Sequence, residues 1–219
     1  MKLGQHFLIN KKIIERIISY IDFSIRPLIE VGGGKGNLTN FLHPDLVIEL
    51  DEKFVRYLPN AVLADGRHLP IARGQIVSSL PYYITYEFFE EISKIDGIKY
   101  LTLILQSDFV EKINNESTYI SYLINFYYKI DIKDNIPPWF FSPKPKVYST
   151  LVRFTRVRDF DERVNILLKC VTKYKNKNIS NALKLCNSEE KIGETNKKVR
   201  DFKPWEVREL LNLMGINYV

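Results

Sequence analysis

The feature that most constrains the fold is a short apolar run that stops abruptly in glycine. Residues 28–31 are apolar apart from Glu30, and three glycines follow at 32–34. Such a run is typical of a buried strand that ends in a tight turn. Further short apolar runs alternate with segments of helical spacing. The chain therefore predicts an α/β fold with a mostly parallel sheet and helices on both faces.

The predicted elements follow one another closely. The predicted strands are 28–31, 46–50, 62–64, 76–78, 100–105, 130–136 and 147–154. The predicted helices in the same part of the chain are 13–21, 37–42, 52–58, 86–92 and 119–128. Because only a short proline-rich and aromatic segment joins the last two strands, we expect them to pair antiparallel.

Beyond residue 156 the pattern becomes helical and charged, with predicted helices at 164–171, 179–185 and 205–214. We therefore predict two domains, 1–155 and 156–219. The first carries 18 Lys and Arg against 17 Asp and Glu, and the second carries 14 against 9. A basic tail on a nearly neutral body suits a polyanionic partner. The alternative explanation of the same charge is a lysine-rich surface that contacts only solvent.

Composition narrows the class of protein. No apolar run approaches the ~18–20 residues that span a bilayer, and the N-terminal residues do not resemble an export signal. We expect a soluble, monomeric, cytoplasmic protein without a metal site. Cys170 and Cys186 are too few for a disulfide framework, and we interpret them as buried thiols in a reducing compartment.

The glycine loop indicates a nucleotide-type ligand. Gly32, Gly34 and Gly36 alternate after Glu30, and glycine lets the backbone approach a ligand closely. Such loops bind dinucleotides, phosphates or S-adenosylmethionine. A dinucleotide fingerprint beginning at Gly32 requires glycine at position 37, which is Asn37, and no Lys-Ser/Thr pair follows Gly36.

Two acidic residues follow the next two strands. Glu49 ends the second strand, where a carboxylate can accept hydrogen bonds from two ribose hydroxyls. Asp65 follows the third strand, where a short acid can meet the exocyclic amine of an adenine ring. An Asp-Gly pair is also common in ordinary turns.

The loop Ser79-Leu80-Pro81-Tyr82 follows the fourth strand, at the sheet edge where open α/β folds place their chemistry. An adenine amine is hard to methylate because its lone pair is delocalised into the ring. Acceptors aimed at its N–H groups would help. Proline cannot donate, so Leu80-Pro81 leaves backbone carbonyls free to accept, and Tyr82 offers a ring to an unstacked base. An ordinary Pro-Tyr turn is the alternative.

In order along the first 155 residues, these motifs resemble the KsgA family of ribosomal RNA adenine N6-dimethyltransferases. The similar segments are GQHFL at 4–8, EVGGGKGNLT at 30–39, VIELD at 47–51, ADG at 64–66, SLPYYI at 79–84, LQ at 105–106 and FSPKPKVYS at 141–149. The last segment fits the family pattern Phe-x-Pro-x-Pro-x-Val-x-Ser at every fixed position. This segment and the N-terminal pentapeptide identify the family far more specifically than a glycine loop does.

The resemblance implies a Rossmann-like class I methyltransferase sheet with a small helical C-terminal domain that binds RNA. S-adenosylmethionine would be the methyl donor. The implied donor-site residues are His6, Leu8, Gly32, Gly34, Glu49, Asp65 and Ser79. The implied catalytic residues are Ser79, Leu80, Pro81 and Tyr82, and Tyr82 and Phe141 would hold the target adenine between their rings. The family's substrate is two adjacent adenines near the 3′ end of small-subunit ribosomal RNA, each of which receives two methyls.

Two departures from the family pattern leave alternatives open. Gly33 replaces a proline, which we expect to loosen the loop while keeping room for ligand. Ser79 replaces an asparagine, and a hydroxyl is shorter than an amide. The rate and the numbers of methyls and adenines stay open. Two alternative functions also stay open. The chain could be a large-subunit ribosomal RNA adenine methyltransferase, or a non-catalytic assembly factor that binds ribosomal RNA and keeps the cofactor pocket.

Overall fold

The computed structural model describes residues 5–187 and 195–216. The chain divides into two compact units. The first runs to Val110 and resumes over Lys129–Val157. The second combines Glu111–Tyr128 with the chain from Arg158 onward.

The first unit is built on a twisted β-sheet. Its strands are β2 (Leu28–Val31), β3 (Leu46–Glu49), β4 (Ala61–Leu63), β5 (Arg73–Ser79), β6 (Gly97–Gln106), β7 (Tyr128–Ile136) and β9 (Ser149–Arg156), and β1 (Phe7–Leu8) pairs separately with β8 (Phe141–Ser142). Among the described residues the strand order is β4-β3-β2-β5-β6-β9-β7. Neighbouring strands from β4 to β6 are parallel, whereas β9 is antiparallel to β6. The carboxyl ends of β2 to β5 therefore share one edge.

The helices are α1 (Lys11–Ser19), α2 (Thr39–Leu42), α3 (Glu52–Val55), α4 (Thr85–Ile92), α5 (Ser107–Asn115), α6 (Tyr119–Tyr127), α7 (Glu162–Val171), α8 (Ile179–Leu185) and α9 (Val207–Leu213). Apolar spacing and caps explain them. In α1, for example, the Asn10 side chain accepts from the Ile13 amide, and Ile13, Ile14 and Ile17 face the core. Within the described parts of the chain, every helix is too short or too polar to span a bilayer.

The α/β fold and all predicted strands and helices are confirmed, with shifted ends. The two strands that flank the proline-rich segment are neighbours in the sheet. Three elements were missed. Helix α5 follows β6 directly, without a turn signal. Strands β1 and β8 have two residues each, too short to show an apolar alternation.

The second unit contains a stretch that the sequence prediction left in the first domain. Helix α6 packs with the C-terminal helices, and its buried Tyr122 hydroxyl lies 2.8 Å from the Val199 carbonyl and 2.7 Å from that of Phe202. Burial raises the pKa of Tyr122 to about 12, so this hydroxyl keeps its proton for those carbonyls. Partners nearly eighty residues apart in sequence leave no local signal for this arrangement.

The prediction of two buried thiols is wrong. Cys170 of α7 and Cys186, which directly follows α8, form a disulfide, and both residues are half-buried. The packing of α7 against α8 brings the two Cα atoms to 5.9 Å, within the range that a disulfide spans. The sequence hides this pair because one residue lies in α7 and the other follows α8, and only the packing of the two helices brings them together.

Arg156 ties three elements of the first unit together. Its guanidinium donates to the carbonyls of Ile98 at 3.1 Å, Ile92 at 2.8 Å and Ser93 at 3.1 Å, and it pairs with Asp96. The side chain is 1% exposed. Strand β9 is thereby fixed to the end of α4 and the start of β6.

We expect Arg156→Met to lower the free energy of unfolding by about 3 kcal/mol, because three buried carbonyls lose a charged donor. Urea denaturation followed by circular dichroism measures this. The control is Arg56→Met, which removes an exposed pair with Glu52 and should change stability little. Equal midpoints for both variants would contradict the role given to Arg156.

Candidate active site

A two-stranded ribbon joins the two most specific motifs of the sequence. Phe7 pairs with Ser142 and Leu8 with Phe141, in antiparallel register. The Ile9 amide extends the ribbon by donating to the Phe140 carbonyl at 2.8 Å. The N-terminal motif and the FSPKPKVYS motif, about 135 residues apart, therefore form one wall.

A cleft of about 1000 Å³, part of it open to solvent, lies between this wall and the carboxyl ends of β2 to β5. All the predicted donor-site residues line it: His6, Leu8, Gly32, Gly34, Glu49, Asp65 and Ser79. The predicted reacting and stacking residues also line it: Leu80, Pro81, Tyr82 and Phe141. The structure thus brings the whole predicted set into one cleft.

The glycine loop is shaped by close packing. Gly34 has φ +52°, and a Cβ atom there would lie 2.7 Å from the Phe7 ring, so only glycine fits. A Cβ atom at Gly33 would lie 2.5 Å from Val47 Cγ1 and 2.9 Å from Leu58 Cδ1. Glycine in place of the family's proline therefore leaves no gap, because Val47 and Leu58 fill the space.

Glu49 is held by two backbone donors. Its Oε2 accepts from the Gly34 amide at 2.7 Å and its Oε1 from the Asp51 amide at 2.8 Å. The residue is 5% exposed. Each carboxylate oxygen has a further lone pair, so the group can also accept from two hydroxyls of a ligand.

Glu30 is a second buried carboxyl in the same cleft. It is 1% exposed, and its Oε2 has no hydrogen-bond partner among the described residues. Burial raises the pKa of Glu30 to about 7, and the neighbouring Glu49 carboxylate acts in the same direction. A buried oxygen without a partner is costly, and a cationic group of a ligand would satisfy it.

Asp65 lies at the rim, where sequence reasoning missed its partner. The Arg67 side chain donates to Oδ1 and Oδ2, with Nη2 at 2.6 Å from Oδ2, and its amide caps Oδ1 at 2.9 Å. Hydrogen bonding to Arg67 lowers the pKa of Asp65. This carboxylate is therefore ionised and fixed, and any ligand amine must share it with Arg67.

The loop after β5 presents one free backbone acceptor. The Leu80 amide donates to the Ile104 carbonyl at 3.3 Å, and the Pro81 carbonyl accepts from the Ile84 amide at 3.1 Å. The expectation that both carbonyls are free therefore holds only for Leu80, whose carbonyl has no partner among the described residues. Ser79 Oγ likewise makes no hydrogen bond within the described part of the chain.

Aromatic side chains border this loop. The Tyr82 hydroxyl and Ser149 Oγ lie 2.6 Å apart, which fixes the ring. The Tyr82 ring also lies near the His6 ring. The two ring centroids are 6.1 Å apart, and the angle between the ring planes is 30°. His6 is in turn held by the Pro143 carbonyl, 2.7 Å from Nδ1. Sequence reasoning missed the role of Ser149, although it is the last fixed position of the FSPKPKVYS motif.

The raised pKa of Glu30 makes stability depend on pH. Unfolded, Glu30 ionises near 4.5, whereas the folded protein retains the proton to about 7. The contribution of Glu30 to the free energy of unfolding is complete below pH 4.5 and is lost as the pH rises to about 7. We expect Glu30→Gln to remove this loss and to exceed wild type in stability by about 2–3 kcal/mol at pH 8.

Urea unfolding of the ligand-free protein at pH 4.5 and 8 measures this effect. Glu52→Gln, on an exposed helix, is the matched control and should follow wild type. The same pH dependence in wild type and Glu30→Gln would show that Glu30 is not protonated by burial.

Comparison with known proteins places the chain in a family. The model of the family described as ribosomal RNA adenine dimethylase matches residues 1–74 and 70–207. Ribosomal RNA small subunit methyltransferase A of Malacoplasma penetrans is 30% identical, covering 97% of this chain and 89% of that protein.

Two solved structures share the fold. A dimethyladenosine transferase from Plasmodium falciparum is 19% identical, with TM-score 0.71 and coverage of 98% and 100%. The 23S rRNA methyltransferase ErmE is 21% identical, with TM-score 0.67 and coverage of 96% and 98%. The protein belongs to the ribosomal RNA adenine dimethylase family.

Proposed function

We propose that this protein transfers methyl groups from S-adenosylmethionine to the N6 atoms of two adjacent adenines near the 3′ end of small-subunit ribosomal RNA. The observation that carries the proposal is the position of the Glu49 carboxylate. Two backbone amides hold it in the same cleft that Leu80 and Tyr82 line. A nucleoside held at Glu49 and a base held at Tyr82 would therefore share one cleft.

The cleft residues fit the methyl donor. Glu49 would accept from the two ribose hydroxyls, and the unpartnered Glu30 oxygen would face the ammonium group of the methionine part. Asp65 would accept from the exocyclic amine of the donor's adenine with lone pairs that Arg67 leaves available. His6, Leu8, Gly32, Gly34 and Ser79 would line the remaining space.

When bound, S-adenosylmethionine would supply an activated methyl group, carried on a positively charged sulfur, for transfer to the amine, whose displaced proton would go to solvent. The protein's own residues position the amine for this reaction. The rings of Tyr82 and Phe141 would hold the unstacked adenine, and Ser149 fixes the orientation of Tyr82. The free Leu80 carbonyl and the Ser79 hydroxyl would accept from the amine and stabilise its developing positive charge.

We further propose that the first unit carries this chemistry and that the basic C-terminal part of the chain, residues 156–219, holds the RNA. The second predicted domain, residues 156–219, has 14 Lys and Arg against 9 Asp and Glu, which supports binding to phosphates. The protein would act as a monomer in the cytoplasm, where small subunits are assembled. A small-subunit substrate is favoured by the 30% identical relative that covers 97% of the chain.

The test of the donor site is Glu49→Ala. Losing two charge-assisted hydrogen bonds should weaken donor binding by roughly 10²-fold or more in calorimetry. Methylation of unmethylated small subunits should fall with it. Glu52→Ala, three residues further along, is the control and should bind as wild type does. Equal donor affinity in Glu49→Ala and wild type would remove the basis of the proposal.

Ser79→Asn tests the reacting loop. A serine hydroxyl ends about one bond short of the asparagine amide, so a water or the Leu80 carbonyl must carry part of the contact with the amine. We expect Ser79→Asn to raise the single-turnover rate on unmethylated subunits roughly tenfold for each ~1.4 kcal/mol regained. Because Ser79 also lines the donor site, donor affinity is measured in parallel and the rates are compared at saturating donor. An unchanged or lower rate would mean that the pocket is adapted to serine, and complete inactivity of both forms would favour an assembly factor.

A further inference from the structure

Two large aromatic side chains beside the cleft are exposed to solvent. Trp139 is 58% exposed and Tyr148 is 46% exposed. Their ring centroids are 6.2 Å apart and their planes nearly perpendicular, so they form one aromatic surface, here called the Trp139–Tyr148 pair. Nothing in the proposed methyl transfer uses either residue. Adjacent exposed aromatic rings are typical of a binding surface.

The pair is held on a rigid backbone. Trp139 lies in a short 3-10 turn, Pro138–Phe140, that begins with Pro138 and is preceded by Pro137. The Phe140 amide donates to the Pro137 carbonyl at 3.1 Å. The Tyr148 carbonyl accepts from the Ser107 amide at 3.0 Å. A preorganised ring loses little conformational freedom when a ligand stacks on it.

The charge around the pair favours a nucleic acid. Residues 137–148 contain two lysines and no acidic residue. Lys144 Nζ lies 5.9 Å from the Trp139 ring centroid, and Lys146 is exposed. A flat aromatic surface beside ammonium groups is the combination that binds the bases and phosphates of unpaired strands.

The chain connects the pair to both residues proposed to hold the adenine. Trp139 lies two residues before Phe141, which lines the cleft. Tyr148 directly precedes Ser149, whose hydroxyl fixes Tyr82 at 2.6 Å. Ser149 is buried, whereas the preceding Tyr148 is exposed to solvent. Each member of the pair is therefore close, along the chain, to a residue that lines the cleft or fixes its Tyr82 ring.

We propose that the Trp139–Tyr148 pair is a stacking platform for an unpaired nucleotide that flanks the target adenine, with Lys144 and Lys146 contacting its phosphates. This inference rests on the function proposed above and adds to it the site that holds the neighbouring nucleotide. A platform of this kind would keep the RNA in place while one adenine occupies the cleft.

Fluorescence tests the platform directly. The chain has two tryptophans, so a Trp205→Phe background leaves Trp139 as the sole reporter. The probe is an RNA hairpin with two adjacent adenines in its loop, and filter binding establishes saturation. We expect the hairpin to quench Trp139 fluorescence, because a stacked base lies against the indole ring. Saturation without quenching would overturn the proposal.

Kinetics on unmethylated small subunits separates this inference from the proposed function. We expect Trp139→Ala to raise the KM for subunits about tenfold or more while kcat and donor affinity change little. Trp139→Phe keeps a ring and should restore most of the loss. Phe23→Ala is the matched control, since Phe23 is 43% exposed, lies in the first unit and precedes β2, away from the carboxyl ends that form the cleft.

Each other outcome has a defined meaning. If the wild type is active and Trp139→Ala has the same KM for subunits, the platform is overturned and the proposed function stands. Equal losses in Trp139→Ala and Phe23→Ala would overturn the assignment of a special site. A raised KM without hairpin quenching would indicate a ribosomal protein on this surface and would also overturn the RNA platform. A wild type that fails to methylate subunits would count against the proposed function, and hairpin quenching would then still decide the platform.

Discussion

The candidate site depends on one buried carboxylate that two backbone amides hold in place. Glu49 ends β3, and the amides of Gly34 and Asp51 converge on its two oxygens. Gly34 can present its amide only because its φ is +52° and because it has no Cβ to meet Phe7. The glycine loop and the end of the neighbouring strand therefore fix each other. A ligand does not have to order them on binding.

The N-terminal ribbon imposes a second constraint, because it completes a wall that the sheet alone does not provide. Two residues from each end of the first unit pair with one another and set His6 beside the Tyr82 ring. The same pairing holds Phe141 under the cleft. A hydroxyl contact from Ser149 at the start of β9 then fixes Tyr82. The aromatic environment is thus assembled from four separate parts of the chain.

Local sequence patterns predicted the strands and the acids at their ends. The strands around Glu30 and Glu49 are short apolar runs bounded by glycine or charge, so their positions could be predicted directly. The Arg67 partner of Asp65 and the pairing of Tyr122 with Val199 and Phe202 could not, because they depend on side-chain direction and on distant packing. The Cys170–Cys186 bond was missed for the same reason. The ribbon was accessible only through the family motifs, since a strand of two residues has no periodicity.

Glu30 and Glu49 show how one cleft gives two acids different tasks. Glu49 receives two amide hydrogen bonds that fix both of its oxygens, so it is suited to accepting from neutral hydroxyls. Glu30 has an oxygen without a partner and a pKa raised to about 7, so its charged form is costly until a cation arrives. Under the proposed function, the ammonium group of the donor would give this oxygen a partner. A neutral analogue would leave the Glu30 oxygen without one, so the site would favour the charged donor.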